Sequence, residues 1–158
     1  MEEKIRIIIN KLIKENKTIS TMESCTGGGL VNEITNIERA SEILKFSAVT
    51  YSNEYKIKMG VSENIINKFS VYSVETAIEM STNISKYTNS NYGIGITGKL
   101  NRQDINNDYG KDNIVYISIY DKDNDKYYNK KIEVNKKTRK ENKELVINTT
   151  IDMLVEII

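Results

Sequence analysis

The sequence contains no histidine, and that absence removes the Ser-His-Asp and Cys-His arrangements together with the commonest neutral general base. Any acid/base chemistry in this chain has to use Lys, Tyr, Glu, Asp or a hydroxyl. Cys25 is the only cysteine, so no intrachain disulfide can form, a cysteine-rich zinc site is excluded, and a reducing compartment is compatible. No apolar run approaches the roughly 18 residues of a membrane span. Met1-Glu2-Glu3-Lys4 lacks both the basic start and the small-residue cleavage site of a secretory leader. The sequence therefore predicts a soluble, cytoplasmic protein without a membrane partner. Charge of one sign is also missing: 23 basic against 22 acidic side chains leave +1. The basic residues are scattered rather than gathered in one long run, so extended nucleic-acid binding is not expected.

What is present is organised around Thr21-Met22-Glu23-Ser24-Cys25-Thr26-Gly27-Gly28-Gly29. Three successive glycines permit turns closed to other residues and close approach to a ligand, and a helix start presents unpaired N–H groups to negative charge. A hydroxyl held there lies beside ready-made oxyanion donors. Ahead of it, Ile5, Ile8, Leu12 and Ile13 recur at helical spacing up to about Asn16, and residues 18–22 read as a strand. Residues 30–35 read as the helix that leaves the turn, and 46–51 as a second strand. Ser52-Asn53 can cap a helical turn over 53–59 that Gly60 stops, Ser62 a further short helix, and Ser73 a longer one with Ala77, Met80 and Ile84 on one face.

Residues 91–97 alternate Tyr92, Ile94 and Ile96 with small glycines, a strand to which a neighbour or ligand comes close. A polar loop over 99–112, a hairpin of 114–120 with 126–134, and a helix from Lys137 carrying Ile147, Ile151, Leu154 and Ile158 complete the chain. Asp121, Asp123 and Asp125 mimic the opening of a calcium loop, yet Lys126 stands in place of its glycine and Ile132 in place of its glutamate, so the hairpin-turn reading is better. The 158 residues fit one domain able to bury roughly two thirds of its unfolded surface. The expected fold class is α/β: one three-layer α/β/α domain over residues 1–158 with a mixed sheet.

Three motifs in order give the chemistry. Glu23-Ser24-Cys25-Thr26-Gly27-Gly28 is followed by Tyr51-Ser52-Asn53, with Lys56 three residues further on, and then by Gly95-Ile96-Thr97-Gly98. In this order and spacing the chain resembles the CinA C-terminal domain family over essentially its whole length. The resemblance implies a nicotinamide-nucleotide amidase, which hydrolyses the carboxamide of nicotinamide mononucleotide to nicotinic acid mononucleotide and ammonia, with no metal or other cofactor. On the matching positions it implies Ser24 as nucleophile, Lys56 as the residue that activates it, and Thr97 and Tyr51 in supporting roles. Glu23, Cys25, Thr26, Gly27, Gly28, Asn53 and Gly98 are expected at the substrate, with Arg102 and Arg139 as anion contacts. The family domain often accompanies an N-terminal partner domain, for which no room is expected here, so the chain is expected to act alone or as a homo-oligomer such as a dimer.

The chemistry of the residues agrees with this. Amide hydrolysis needs an activated nucleophile, a stabilised oxyanion and a proton for ammonia. Without histidine a lysine is a reasonable base, provided that burial or a neighbouring cation lowers its pKa from about 10.4. The backbone N–H groups of Cys25 and Thr26 are the candidates for the oxyanion hole. Simpler readings stay open beside each assignment. Ser24 and Thr26 can cap a helix, Lys56 and Arg139 can be solvated helix charges, Tyr51 a packing residue and Thr97 a filler before a turn. Cys25 can be a nucleophile or a buried small residue behind Ser24, and Glu23 can orient Lys56 or a substrate hydroxyl, or make a capping contact.

The family continues after its third motif with a glycine-rich loop containing proline, whereas here the text is Lys99-Leu100-Asn101-Arg102-Gln103-Asp104-Ile105-Asn106-Asn107-Asp108-Tyr109-Gly110. Lys99 or Arg102 can pair with a phosphate through side chains instead of backbone amides, or lie on the surface. The altered loop leaves a second functional reading, a non-catalytic nucleotide-binding or regulatory protein on the same fold.

Overall fold

Why the motifs meet is set by which strands neighbour one another. The computed structural model describes residues 1–102, 105–106 and 109–158. In chain order it contains α1 (Glu2–Glu15), β1 (Ile19–Glu23), α2 (Gly29–Thr35), β2 (Leu44–Val49), α3 (Asn53–Lys58), α4 (Glu63–Phe69), α5 (Val74–Thr88), β3 (Tyr92–Gly98), β4 (Ile114–Asp121), β5 (Lys126–Glu133) and α6 (Arg139–Ile157). The sheet order is β2-β1-β3-β4-β5. β1 lies parallel to both β2 and β3, while β3 with β4 and β4 with β5 are antiparallel. The first motif ends β1, the second follows β2 and the third ends β3. Three parallel neighbours thus deliver all three motifs to the same edge of the sheet, the carboxyl ends where open α/β sheets hold their ligands.

Helices cover both faces. On one, Ile5, Ile9 and Leu12 of α1, Leu30 of α2, and Val146, Ile151 and Leu154 of α6 form a cluster with Ile19, Ile94, Ile96 and Ile117 of the sheet. On the other, Met80 and Ile84 of α5 pack with Met22, Ala48 and Val61. This is the three-layer α/β/α arrangement with a mixed sheet that the element pattern predicts. The neighbour that approaches β3 is α5: a Cβ built on Gly93 or Gly95 would run into the main chain of α5 at Ser81 and Ala77. Local signals stop and start the helices. Asn16 ends α1 with φ 52° and Asn89 ends α5 with φ 55°, and Thr138 and Glu141 form a reciprocal capping box at the start of α6.

Several boundaries differ from the sequence reading. β2 runs over Leu44–Val49 rather than 46–51, because its partner β1 ends at Glu23, which sits opposite Val49; one more bond, Thr50 N–H to the Glu23 carbonyl at 2.8 Å, closes the ladder. α6 starts at Arg139 rather than Lys137, since Thr138 takes the cap position. Ser62 occupies the cap position of α4 but its side chain makes no capping bond; its N–H donates to Glu79 Oε2 at 3.1 Å instead. A short 3-10 turn, Ala40–Glu42, fills the connection before β2. At the β4–β5 turn the Asp121 carboxylate accepts from Asp123 N, Asn124 N and Asn124 Nδ2, so these residues build the hairpin. Within 99–112, residues 103, 104, 107 and 108 lie outside the described residues; of the rest, Leu100 is buried and Ile105 exposed. Among the described residues no helix is long and apolar enough to cross a membrane.

Candidate active site

The glycine turn is held from behind by Glu23. This last residue of β1 is fully buried, and its carboxylate accepts from Thr26 Oγ1 at 2.6 Å, Leu30 N at 3.1 Å and Val31 N at 2.9 Å. The N-cap position of α2 is Gly28, which has no side chain to offer, so a carboxylate arriving from the strand satisfies the first free N–H groups of the helix and complements its dipole. Gly27 and Gly28 take φ values of 61° and 85°, the left-handed region in which a side chain is strained. Ser24 is anchored through its own N–H to the Ile96 carbonyl at 3.0 Å, and its carbonyl accepts from Gly27 N at 3.0 Å. Strand end, helix cap and turn together fix where the Ser24 hydroxyl points.

Lys56 reaches that hydroxyl from the second motif. Ser52 caps α3 by accepting from Tyr55 N at 3.3 Å, and the short helix turns Lys56 inward, where it is 1% exposed. Its Nζ donates to Ser24 Oγ at 3.0 Å and to the Thr50 carbonyl at 2.7 Å. Burying a lysine costs stability unless its head group is hydrogen-bonded. Beyond Ser24, the N–H groups of Cys25 and Thr26 donate to no other described residue.

The Cys25 thiol sits beside Ser24 without sharing its chemistry. Burial pushes it up from 9.0 to about 12, against the smaller opposing pull of the Lys56 and Arg139 charges. The native state therefore keeps the proton. The stability this contributes is complete below pH 9, the ordinary thiol value, and is lost as pH rises toward about 12. With iodoacetamide at pH 8 the native thiol is expected to react on the order of 10³-fold more slowly than in urea-unfolded protein. Equal rates would show a thiolate at the site and return Cys25 as a nucleophile.

In front of Ser24 and Cys25 opens a cavity of about 620 Å³, bounded by Tyr51, Ser52 and Asn53 after β2, Gly98 to Leu100 after β3, and Arg139 at the start of α6. Tyr72, Arg102, Ile105 and Asn106 complete the wall. Lys99, Arg102 and Arg139 are cationic, and no described lining residue is acidic. Arg139 Nη2 donates to the Tyr51 hydroxyl at 3.0 Å, joining the outer two of these elements. The structure thus brings Ser24, Cys25, Tyr51, Asn53, Gly98, Arg102 and Arg139 to one cavity, with Lys56 directly behind Ser24.

Other residues expected at the substrate stand elsewhere. Glu23 and Thr26 are engaged with each other and with α2, because the helix lacks a cap of its own. Gly27 and Gly28 form the turn beneath, near Lys143 and Val49 respectively. Thr97 is fully buried and donates to the Val71 carbonyl at 2.9 Å, which fixes the segment carrying Tyr72 rather than facing the cavity. Leu100, Ile105 and Asn106 belong to the loop that the resemblance implies beside the substrate, whereas sequence reasoning missed Tyr72 and Ser52 as wall residues. Ser52 carried a signal only as a cap, and nothing in the periodicity around Tyr72 marks it. Among the described residues no group of side chains is arranged to hold a metal ion.

Comparison with known proteins places this geometry. The sequence profile of the CinA C-terminal domain family matches residues 1–158. A CinA-like protein of Flavobacterium psychrophilum is 40% identical over 122 residues, 75% of this chain and 28% of that relative. A CinA-like protein of Kosmotoga olearia is 43% identical over 93 residues, 58% of this chain and 23% of that relative. The chain spans about a quarter of the length of the curated relatives it matches. Among solved structures, a competence/damage inducible protein from Agrobacterium tumefaciens superposes with a TM-score of 0.88 at 25% identity, covering 98% of this chain and 93% of that one. A competence or damage-inducible protein from Enterobacter asburiae reaches 0.91 at 20% identity, covering 99% and 96%; at that identity it bears on the fold alone.

Proposed function

The chain belongs to the CinA C-terminal domain family, and from that premise we propose that it is a serine amidohydrolase that converts nicotinamide mononucleotide to nicotinic acid mononucleotide and ammonia. The observation that carries the reading is the buried Lys56 Nζ at 3.0 Å from Ser24 Oγ, behind a serine that lines the cavity. A neutral amine keeps two N–H donors and one lone pair. It can donate to the Thr50 carbonyl and accept the Ser24 proton along the same line. The freed Oγ attacks the carboxamide carbon, and the resulting oxyanion faces the Cys25 and Thr26 N–H groups. The Lys56 ammonium then returns the proton to the amide nitrogen, the C–N bond breaks and ammonia leaves an ester on Ser24. Water attacks that ester with Lys56 again as base, releasing the carboxylate and the serine. A cationic wall with no acidic side chain among its described residues suits a mononucleotide phosphate, and the Tyr51 and Tyr72 rings suit a flat, positively charged pyridinium.

Purified protein in the presence of a chelator is expected to release ammonia from nicotinamide mononucleotide in a one-to-one ratio with nicotinic acid mononucleotide. Saturable nucleotide binding with no ammonia would reject the amidase. It would favour the second reading, a nucleotide-binding protein, which draws its support from the polar 99–112 segment standing where the resemblance implies a glycine-rich loop.

A further inference from the structure

The cavity wall contains a buried lysine whose one ion-pair partner among the described residues is half exposed. The Lys99 side chain is 1% exposed, and its ion-pair partner is Asp112 at 3.2 Å, itself 47% exposed. The ammonium also lies 5.2 Å from the centre of the Tyr72 ring, which lines the same cavity. An ammonium has three N–H donors. Among the described residues Asp112 Oδ1 is the one oxygen that accepts from it. The other two cations of the wall, Arg102 and Arg139, add positive charge and no counter-charge. A desolvated cation sharing one half-exposed carboxylate is poorly compensated.

The backbone keeps the lysine in this position. Lys99 N donates to the Ile114 carbonyl at 2.9 Å and Arg102 N to the Asp112 carbonyl at 3.2 Å, so the two ends of the 99–112 segment are clasped beside the cavity. Both members of the ion pair come from these ends. The pair therefore joins the two ends of the 99–112 segment, and its lysine belongs to the wall of the cavity that Ser24 also lines.

We propose that Lys99 is a specificity-determining residue: it receives a phosphate monoester of the ligand, and Asp112 is the resident counter-ion with which that phosphate competes. The proposal rests on the amidase reading for the nucleotide that brings the phosphate, and on the cavity alone for the anion. It gives the two members of one ion pair opposite effects. Removing Lys99 removes a donor to the ligand, whereas removing the Asp112 charge frees that donor. An ion pair that only stabilises the loop would make both changes harmful in the same direction.

The test is calorimetric titration of Ser24→Ala protein, which prevents consumption of the ligand, with nicotinamide mononucleotide, nicotinamide riboside and inorganic phosphate. The mononucleotide is expected to bind at least about tenfold more tightly than the riboside. Adding Lys99→Met should erase that preference, and adding Asp112→Asn should widen it several-fold and tighten inorganic phosphate as well. An unchanged preference in Lys99→Met, weaker phosphate binding in Asp112→Asn, or no saturable binding of either anion would overturn the proposal. Because Asp112→Asn leaves the buried lysine in place, it answers the question even if Lys99→Met fails to fold. Binding that follows Lys99 and Asp112 with no ammonia from the parent protein would reject the amidase and keep this inference. Ammonia release with a Lys99-independent preference would do the reverse.

Discussion

Lys56→Met is expected to lower ammonia release from nicotinamide mononucleotide by on the order of 10³-fold or more, about 4 kcal/mol of transition-state stabilisation, in a protein that remains folded. Methionine fills a similar volume in a site where Lys56 is among the largest fully buried side chains and removes the cost of burying an amine. Against that, the Thr50 carbonyl loses the 2.7 Å donor, worth roughly 1 to 3 kcal/mol when left unmet. These terms nearly offset, so the melting temperature should stay within a few degrees of the parent. A lysine serving only structure would behave differently, with stability and activity falling together. Groups that act as a unit are also non-additive. Ser24→Ala combined with Lys56→Met should therefore be no slower than the slower single variant, and a multiplicative loss would mean that the two residues serve separate steps.

Gly95→Ala should be among the most damaging single methyl additions in the fold. The added Cβ would meet the Ala77 carbonyl oxygen and approach Ser81 N at 2.7 Å and Met80 Cβ at 2.8 Å. Two of these are main-chain atoms of α5, which no rotamer change can move. α5 would have to lift from the sheet, loosening Met80 and Ile84 against Met22, Ala48 and Val61. Overpacking of this kind costs about 3 kcal/mol or more, against a typical total of roughly 5 to 15 kcal/mol. The displacement would also disturb Ser73, whose hydroxyl accepts from Thr76 N at 3.1 Å at the start of α5, and with it the adjacent Tyr72 wall. Thermal unfolding is the check: a drop of ten degrees or more, or insoluble protein, is expected, and an unchanged melting temperature would show that β3 and α5 are not in the contact described.

The close approach at β3 was legible in the sequence as a strand with glycines on one side, but whether helix or ligand fills the space was not, because a missing Cβ says nothing about what replaces it. The order of the motifs and the alternation of strands and helices sufficed for the layers and the mixed sheet. Strand ends were less legible: β2 stops where β1 has no more residues to pair with, a property of the partner rather than of Thr50 or Tyr51. The meeting of Ser24 with Lys56 followed from the resemblance to a family. Bottom-up chemistry had supplied only the need for some lysine. Glu23 shows the opposite case. A carboxylate next to the nucleophile invites a role at the substrate, yet the open N-terminus of a helix capped by glycine is nearer and takes it. Lys99 read as a surface or phosphate-pairing charge, and its burial depends on Tyr72 and Asp112, distant in sequence and brought together only by the fold.

If Ser24, activated by Lys56, is the nucleophile, ammonia release by Ser24→Ala measured beside the parent protein should fall by at least about 10³-fold, to the background of the assay, with nucleotide binding retained. Turnover by Ser24→Ala within tenfold of the parent would contradict it.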